Sequence, residues 1–309
     1  MRSPAATADA DRGRLLSGYA LTAAAYTIFG LIGALVRMTT APESVVLVIR
    51  MGLAAVILAG LFARRGLFAD LRRPGVASRL LLMGALDASA LMLFFIALRL
   101  TGVAVGMFLL FAAPVYVAFA APRIFHQATD RVVFGALPLA LVGLGFILVP
   151  GLTAEGLRVS ALGLVAGVSG GVIFAAFLIV AKLLTRRASN ATFLVSECVL
   201  DTLFIAPLAL WQWSGVAFRL TLHDLAVSVV LGVVCTALAY SLWFEGLRRV
   251  RVQHASIIGY LEPVTAPLYA YVLLAERPAG WALLGGTLIL GAGALIVLFG
   301  RSDAEAVPG

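Results

Sequence analysis

The sequence predicts an all-α polytopic membrane protein of ten transmembrane helices, arranged as two inverted five-helix repeats. Three observations predict it: an extreme apolar composition, ten apolar runs of membrane-crossing length, and an internal repeat with an odd number of runs per copy. Of 309 residues, 62% are hydrophobic and 12% charged, and the mean hydropathy is +1.06. A water-soluble domain carries about 25% charged residues, because its surface must face water. The 31 glycines suit membrane helices, whose backbones approach closely where side chains are small. Cys198 and Cys235 both lie inside apolar runs, giving neither metal-ligand spacing nor a disulfide framework.

A membrane helix needs roughly 20 mostly apolar residues, since about 1.5 Å per residue must cross about 30 Å of hydrocarbon. Ten runs qualify: 15–36 (span 1), 43–63 (span 2), 79–98 (span 3), 102–121 (span 4), 131–150 (span 5), 160–182 (span 6), 191–211 (span 7), 224–246 (span 8), 252–274 (span 9) and 279–300 (span 10). The first 25 residues have the order of a secretory signal, with arginines, an apolar run and then small residues. Run 1 is long enough to span, however, and its pattern recurs later in the chain.

Basic residues set the direction, because Lys and Arg collect on the cytoplasmic side. One set of alternate segments carries Arg2, Arg12 and Arg14, then Arg64, Arg65, Arg72, Arg73 and Arg79, then Arg123 and Arg131, then Lys182, Arg186 and Arg187, then Arg248, Arg249 and Arg251, and finally Arg301. The other set carries only Arg37, Arg99, Arg158, Arg219 and Arg277. The bias predicts both termini in the cytoplasm and a bacterial inner membrane location. It also accounts for the formal charge of +8 by topology, so nucleic acid is not an expected partner.

The repeat appears on shifting the chain by 149, which overlays Leu93–Gln127 on Leu242–Glu276 without a gap and matches Phe95/Phe244, Arg99/Arg248, Val103/Val252 and Pro114/Pro263 among others. Span 1 aligns with span 6 at a shift of 145 (Gly18/Gly163, Phe29/Phe174, Arg37/Lys182), and span 5 with span 10 at 148 (Gly143/Gly291). The predicted halves are 1–150 and 151–309. Five helices per copy make the second copy enter from the opposite side, the arrangement through which secondary transporters exchange inward-open and outward-open states.

The repeated segments also carry a family resemblance. The second copy reads GLRRVRVQHASIIGYLEPVTAPLYAYVLLAERPAGW, with Glu262-Pro263 and Glu276-Arg277. The first reads ALRLTGVAVGMFLLFAAPVYVAFAAPRIFHQ, keeping Ala97-Leu98 and Pro114 but ending on Gln127 where the family often has Glu. In span 2, VIRMGLAAVIL with Arg50 is similar to the family's R-F-x-x-A segment. The chain resembles the drug/metabolite transporter superfamily, in particular its ten-helix group with two EamA domains. The resemblance implies a central cavity among spans 1–4 and 6–9, with spans 5 and 10 outside it at a dimer interface if one forms. Members of that family move amino acids, other metabolites, nucleotide precursors or toxic cations, usually outward.

A charge inside a span costs roughly 2.5–3.5 kcal/mol on insertion scales, so each one needs a reason. Arg50 and Asp87 fall at similar depths; they are either an ion pair that lets two helices insert or a gate or ligand anchor. Glu262 precedes Pro263 near the middle of span 9, and proline removes a backbone donor while disfavouring helical geometry before it. Pro114 and Pro263 are therefore expected helix breaks, and Glu262 suits a midplane ligand site. Glu197 and Asp201 are four apart on one helix face, where like charges repel; one stays protonated as a coupling site, or both face water. Tyr240 and Trp243 share a face of span 8, and Tyr26, Phe94 and Tyr260 lie on other cavity helices. Aromatic walls suit flat or cationic ligands. Trp211, Trp213 and Trp281 lie near span ends, as interfacial tryptophans do.

Other classes find little support. The single lysine, Lys182, is followed by Leu183, so there is no P-loop. There is no H-E-x-x-H, and His126, His223 and His254 are scattered. No catalytic residue, metal or cofactor is expected. The expected partners are a small-molecule substrate and the lipid bilayer, with the chain acting as a monomer or homodimer. The expectation is a secondary transporter that exports small metabolites, amino acids or organic cations, by alternating access. A channel or scramblase is the alternative.

Overall fold

The computed structural model describes residues 4–63, 69–155, 160–215 and 219–301. Arg2, Arg64, Arg65 and Arg158 of the charge count lie outside them. Ten helical segments are long and apolar enough to cross a membrane: Asp11–Arg37, Glu43–Phe62, Val76–Thr101, Val103–Phe125, Arg131–Thr153, Ala161–Leu184, Asn190–Trp213, Leu222–Arg249, Val252–Leu274 and Gly280–Phe299. They correspond one to one with spans 1–10, and among the described residues there is no strand. Lipid offers no partner for a free backbone N–H or C=O, so helices are the elements such runs can form.

Four spans are irregular, and each irregularity has a local cause. Span 4 breaks at Ala112, between the helices Val103–Phe111 and Ala113–Phe125, just before Pro114. Span 9 breaks at Gly259 and Tyr260, between Val252–Ile258 and Leu261–Leu274, just before Pro263. Each break falls on the N-terminal side of its proline, where the missing N–H leaves the preceding turn open. Span 1 turns at Gly30. A side chain at that position would collide with Thr265 Oγ1 (2.1 Å) and the Glu262 carbonyl (2.9 Å), so glycine is what lets span 1 lie against the break in span 9. Span 8 widens into a π-helix over Leu231–Leu238, where the Thr236 hydroxyl donates to the Leu231 carbonyl at 3.0 Å.

The main packing partners come in sets. Span 1 packs on span 8 and span 6 on span 3, while span 2 packs on span 7 and span 5 on span 10. Exchanging each span for its counterpart five further along maps this set onto itself. Spans 5 and 10 meet at Gly143 and Gly285, each closing on the other's backbone. Both described ends of the chain reach one face, here termed the terminal face: Tyr19 lies beside His254, and the Arg301 N–H donates to Asp130 at 2.6 Å.

The terminal face is closely tied. Lys182 Nζ donates to the carbonyls of Leu247 (2.8 Å) and Val250, capping the C-terminal end of span 8. The Tyr19 hydroxyl and His254 Nδ1 are 2.8 Å apart, and His254 Nε2 lies 3.3 Å from Asp130 Oδ2. Burial pushes the Asp130 carboxyl up, but His254 and the N–H groups of Arg301 and Val132 outweigh it and hold the group well below the ordinary carboxylate range. Asp70 follows the same logic: burial is outweighed by donors from Ser189 and Thr192 and by Arg73. One cavity here is about 20 Å³, lined by Gln127, Lys182, Arg186 and Arg251 among others, and another of about 320 Å³ lies on spans 1, 9 and 10, lined by Leu16, Tyr19 and Val297 among others. At the opposite face Arg37 pairs with Glu276, and Asp224 caps its helix with Thr221 while accepting from Thr40. That face holds a cavity of about 670 Å³ between spans 2, 3 and 7.

Candidate functional site

Two clusters form at mid-depth, on different helices. The first is aromatic, built by spans 1, 6 and 8. Trp243 Nε1 donates to the Tyr26 hydroxyl at 3.1 Å. Tyr26 meets Phe29 edge-on at 5.6 Å, and Phe29 meets Tyr240 edge-on at 5.2 Å. Trp243 stacks on Phe177 at 5.9 Å, and Phe177 on Phe174 at 5.6 Å. Edge-to-face and offset ring pairs place positive ring edges against negative faces, which fixes the wall's shape. Tyr26 packs over Gly259, where a side chain would come within 3.1 Å of its ring. This sets the Tyr26 ring against the break in span 9, and the Glu262 charge acts on its hydroxyl. Tyr240 and Glu262 keep part of their surface open although they lie well inside their spans, so they border interior space.

The second cluster is acidic, built by spans 2, 3 and 7. Asp87, Glu197 and Asp201 each bring a carboxyl oxygen within 4.8 Å of the others. Glu197 is fully buried and Asp201 is 1% exposed. Among the described residues, no hydrogen-bond donor reaches either oxygen of Glu197, and Asp201 has only the Asp87 carboxyl against it. Such a carboxylate is costly to bury, because desolvation is not repaid by a partner. Arg50 is buried beside this cluster and exerts its charge on Asp87, Asp201 and Glu262. Among the described residues its Nε has no acceptor, and no ion pair within 4.0 Å joins it to Asp87. The charge of Arg50 thus acts on the acid cluster and on Glu262 alike, without a close ion pair to Asp87.

The remaining sequence-selected residues fall elsewhere. Tyr260 is fully buried, and its hydroxyl donates to the Phe111 carbonyl at 2.7 Å, pinning the break in span 9 to the one in span 4. Phe94 pairs with Phe95 at 6.0 Å and packs near Gly170 of span 6, away from the ring contacts of the first cluster. Pro114 and Pro263 sit just after their breaks. Trp211, Trp213 and Trp281 are exposed. Phe29, Phe174 and Phe177 were not among the selected residues, yet they complete the aromatic wall. The match of Phe29 to Phe174 in the repeat was a signal that pointed to two of them.

The acidic cluster has the donor set of a hard-cation site, three carboxyl oxygens, and equally that of a shared-proton site. Ring faces near a carboxylate, as at Tyr26 and Glu262, are chemistry suited to a flat or cationic group.

Comparison with known proteins agrees with this architecture. Residues 161–298 match the model of the "EamA-like transporter family". A protein of Archaeoglobus fulgidus named "Uncharacterized transporter" is 30% identical over 207 residues, covering 65% of this chain and 68% of its own. "Uncharacterized transporter YwfM" of Bacillus subtilis is 27% identical, covering 61% of this chain and 63% of its own. A solved crystal structure superposes with a TM-score of 0.79 at 18% identity, covering 92% of this chain and 98% of that one, a likeness of fold. With its ten apolar helices, the chain belongs to the EamA-like transporter family of the drug/metabolite transporter superfamily, and is a multi-pass membrane transporter.

Proposed function

We propose that the protein exports small metabolites carrying an amino or other cationic group, aromatic amino acids and organic cations foremost, across a bacterial inner membrane by alternating access. One observation carries the substrate class: Glu262 stands at the opened turn of span 9, beside a wall built from Tyr26, Phe29, Tyr240 and Trp243. A carboxylate next to ring faces suits an ammonium group attached to an apolar or flat body. Arg50, whose charge reaches Glu262, is placed for a ligand carboxylate.

Alternating access is supported by the self-mapping set of span contacts, by the broken spans 4 and 9, and by the contrast between a closely tied terminal face and an open cavity opposite. In this reading the termini are cytoplasmic, and the structure corresponds to a state closed toward the cytoplasm. Rocking of the two halves about the midplane would transfer the closed contacts to the other face. Glu197 and Asp201 are read as proton-coupling residues, because the oxygens of Glu197 lack donors at full burial and Asp201 has only the Asp87 carboxyl against it.

The test is efflux of labelled aromatic amino acids and organic amines from proteoliposomes. Glu262→Gln should lower the rate at least about tenfold, a loss of about 1.4 kcal/mol of recognition. An unchanged rate removes this assignment. Counterflow, in which unlabelled substrate on one side drives labelled substrate the other way, should be present; its absence alongside rapid flux would favour a channel.

A further inference from the structure

The acid cluster and the open cavity share the same three helices. Arg50, Asp87, and the pair Glu197 and Asp201 come from spans 2, 3 and 7. The 670 Å³ cavity is lined by Glu43 and Ser44 of span 2, Phe95 and Arg99 of span 3, and Leu208 and Gln212 of span 7. At about 1.5 Å per residue, the steps Ser44 to Arg50, Phe95 to Asp87 and Leu208 to Asp201 each put the cavity roughly 10 Å from the cluster along its own helices. The aromatic wall is built on spans 1, 6 and 8, and its Tyr240 also feels the charges of Asp87, Asp201 and Glu197.

We propose that Asp87, Glu197 and Asp201 form a proton-loading site, distinct from Glu262 and adjoining the aromatic wall at Tyr240, that takes its protons from the opposite face through the cavity between spans 2, 3 and 7. This rests on the coupling reading of Glu197 and Asp201, adds Asp87 as third member, and assigns the route. The buried, unpartnered oxygens of Glu197 are the observation independent of clustering: they need a hydrogen, and no donor among the described residues supplies one, while the Asp87 and Asp201 carboxyls lie against each other. The balance is simple. One proton from a hydronium ion in the cavity joins one carboxylate oxygen, giving a carboxyl whose O–H is shared with a neighbouring oxygen, and water is returned to the cavity.

The groups facing the site are Arg50 from span 2, Cys198 on span 7, Cys235 and Tyr240 on span 8, and Glu262 beyond Arg50 on span 9. Arg50 is the link between the two sites. A charged cluster draws its guanidinium toward spans 3 and 7, whereas a protonated cluster releases it toward the ligand pocket. Proton loading thus exchanges one partner of Arg50 for another, so the two sites bias one conformational equilibrium.

The test needs no substrate. Infrared pH-difference spectra of the full chain in lipid, recorded in a Glu262→Gln background, should show a protonated buried carboxyl band near neutral pH. Asp87→Asn, Glu197→Gln and Asp201→Asn should each remove or shift that band, and Asp201→Glu, which keeps the acid, should restore it. Attaching a membrane-impermeant thiol reagent to Gln212→Cys from the opposite face should slow proton loading at least about tenfold after a pH jump. Absence of the band, a band indifferent to all three carboxamide variants, or loading unaffected by the reagent overturns the proposal. A band displaced by sodium or calcium ions at fixed pH would instead make the cluster a metal-cation site. Since no ligand is present, these outcomes are independent of whether Glu262 recognises an amine.

Discussion

The two faces of the protein are built from matching positions and are fastened by different chemistry. At the opposite face Arg37, at the end of span 1, pairs with Glu276, after span 9. The positions that align with these in the repeat are Lys182, at the end of span 6, and Gln127, after span 4, and both line the small cavity at the terminal face. The base is kept there and the acid is not. Arg37 and Glu276 are 58% and 47% exposed, so their ion pair is screened and readily parted. Lys182 is 3% exposed and turns to the orphan carbonyls at the end of span 8. One fastening is a solvated ion pair and the other is a buried cap, so opening the two faces should differ in cost.

Four variants test this difference. Lys182→Met leaves the Leu247 and Val250 carbonyls without that donor and should cost about 2 kcal/mol. A lowered melting temperature in detergent and faster thiol labelling of Gln253→Cys from the terminal face would show it; an unchanged melt would make the buried cap dispensable.

Asp130→Asn comes next, because it weakens the contact of His254 and the Arg301 N–H with this face. The native Asp130 carboxyl is held below its ordinary range, so its stabilisation is full above an unfolded value of about 3.9 and is lost as pH falls below that. The stability difference between native protein and Asp130→Asn should therefore shrink on acidification through that window. A difference that grows instead would contradict the assigned donors.

Gln127→Glu restores the acid of the repeat beside Lys182 and should stabilise the closed terminal face by about 1 kcal/mol, slowing transport severalfold as that face opens less often. Faster transport would break the comparison. Arg37→Ala should have the smallest effect, within about 1 kcal/mol, since exposed pairs contribute little. The fall of the Glu276 carboxyl below its usual range has Arg37 as its first cause, so a Glu276 titration moved back toward about 4.3 in that variant would report the lost partner.

The break before each proline was legible in the sequence, because a missing N–H acts on its own helix. Asp87 and Tyr260 show where such reading stops. Asp87 was readable as a buried charge, but its partners lie more than a hundred residues away on span 7, and the choice of two carboxyls over Arg50 depends on how three helices rotate against one another. Tyr260 read as a cavity aromatic because its helix and depth were right. Its hydroxyl is instead taken by the Phe111 carbonyl, which is free only because span 4 is broken. The aromatic wall is intermediate: Tyr240 and Trp243 share a helix face by spacing alone, whereas the Trp243 bond to Tyr26 needed span 1 to pack on span 8.

By itself, the sequence determined the number of spans, their limits to within a few residues, the breaks at Pro114 and Pro263 and the bias of basic charge, since each follows from local hydropathy or backbone chemistry along a single helix; the turn at Gly30 and the π-helix of span 8 appeared only in the structure. Only the tertiary structure decided which side chains share a site: that the carboxyls of spans 3 and 7 converge, that rings of spans 1, 6 and 8 form one wall, and that the charge of Arg50 acts on both the acid cluster and Glu262. Helix rotation and close approach at glycines set those distances, and neither is written in the periodicity of one span.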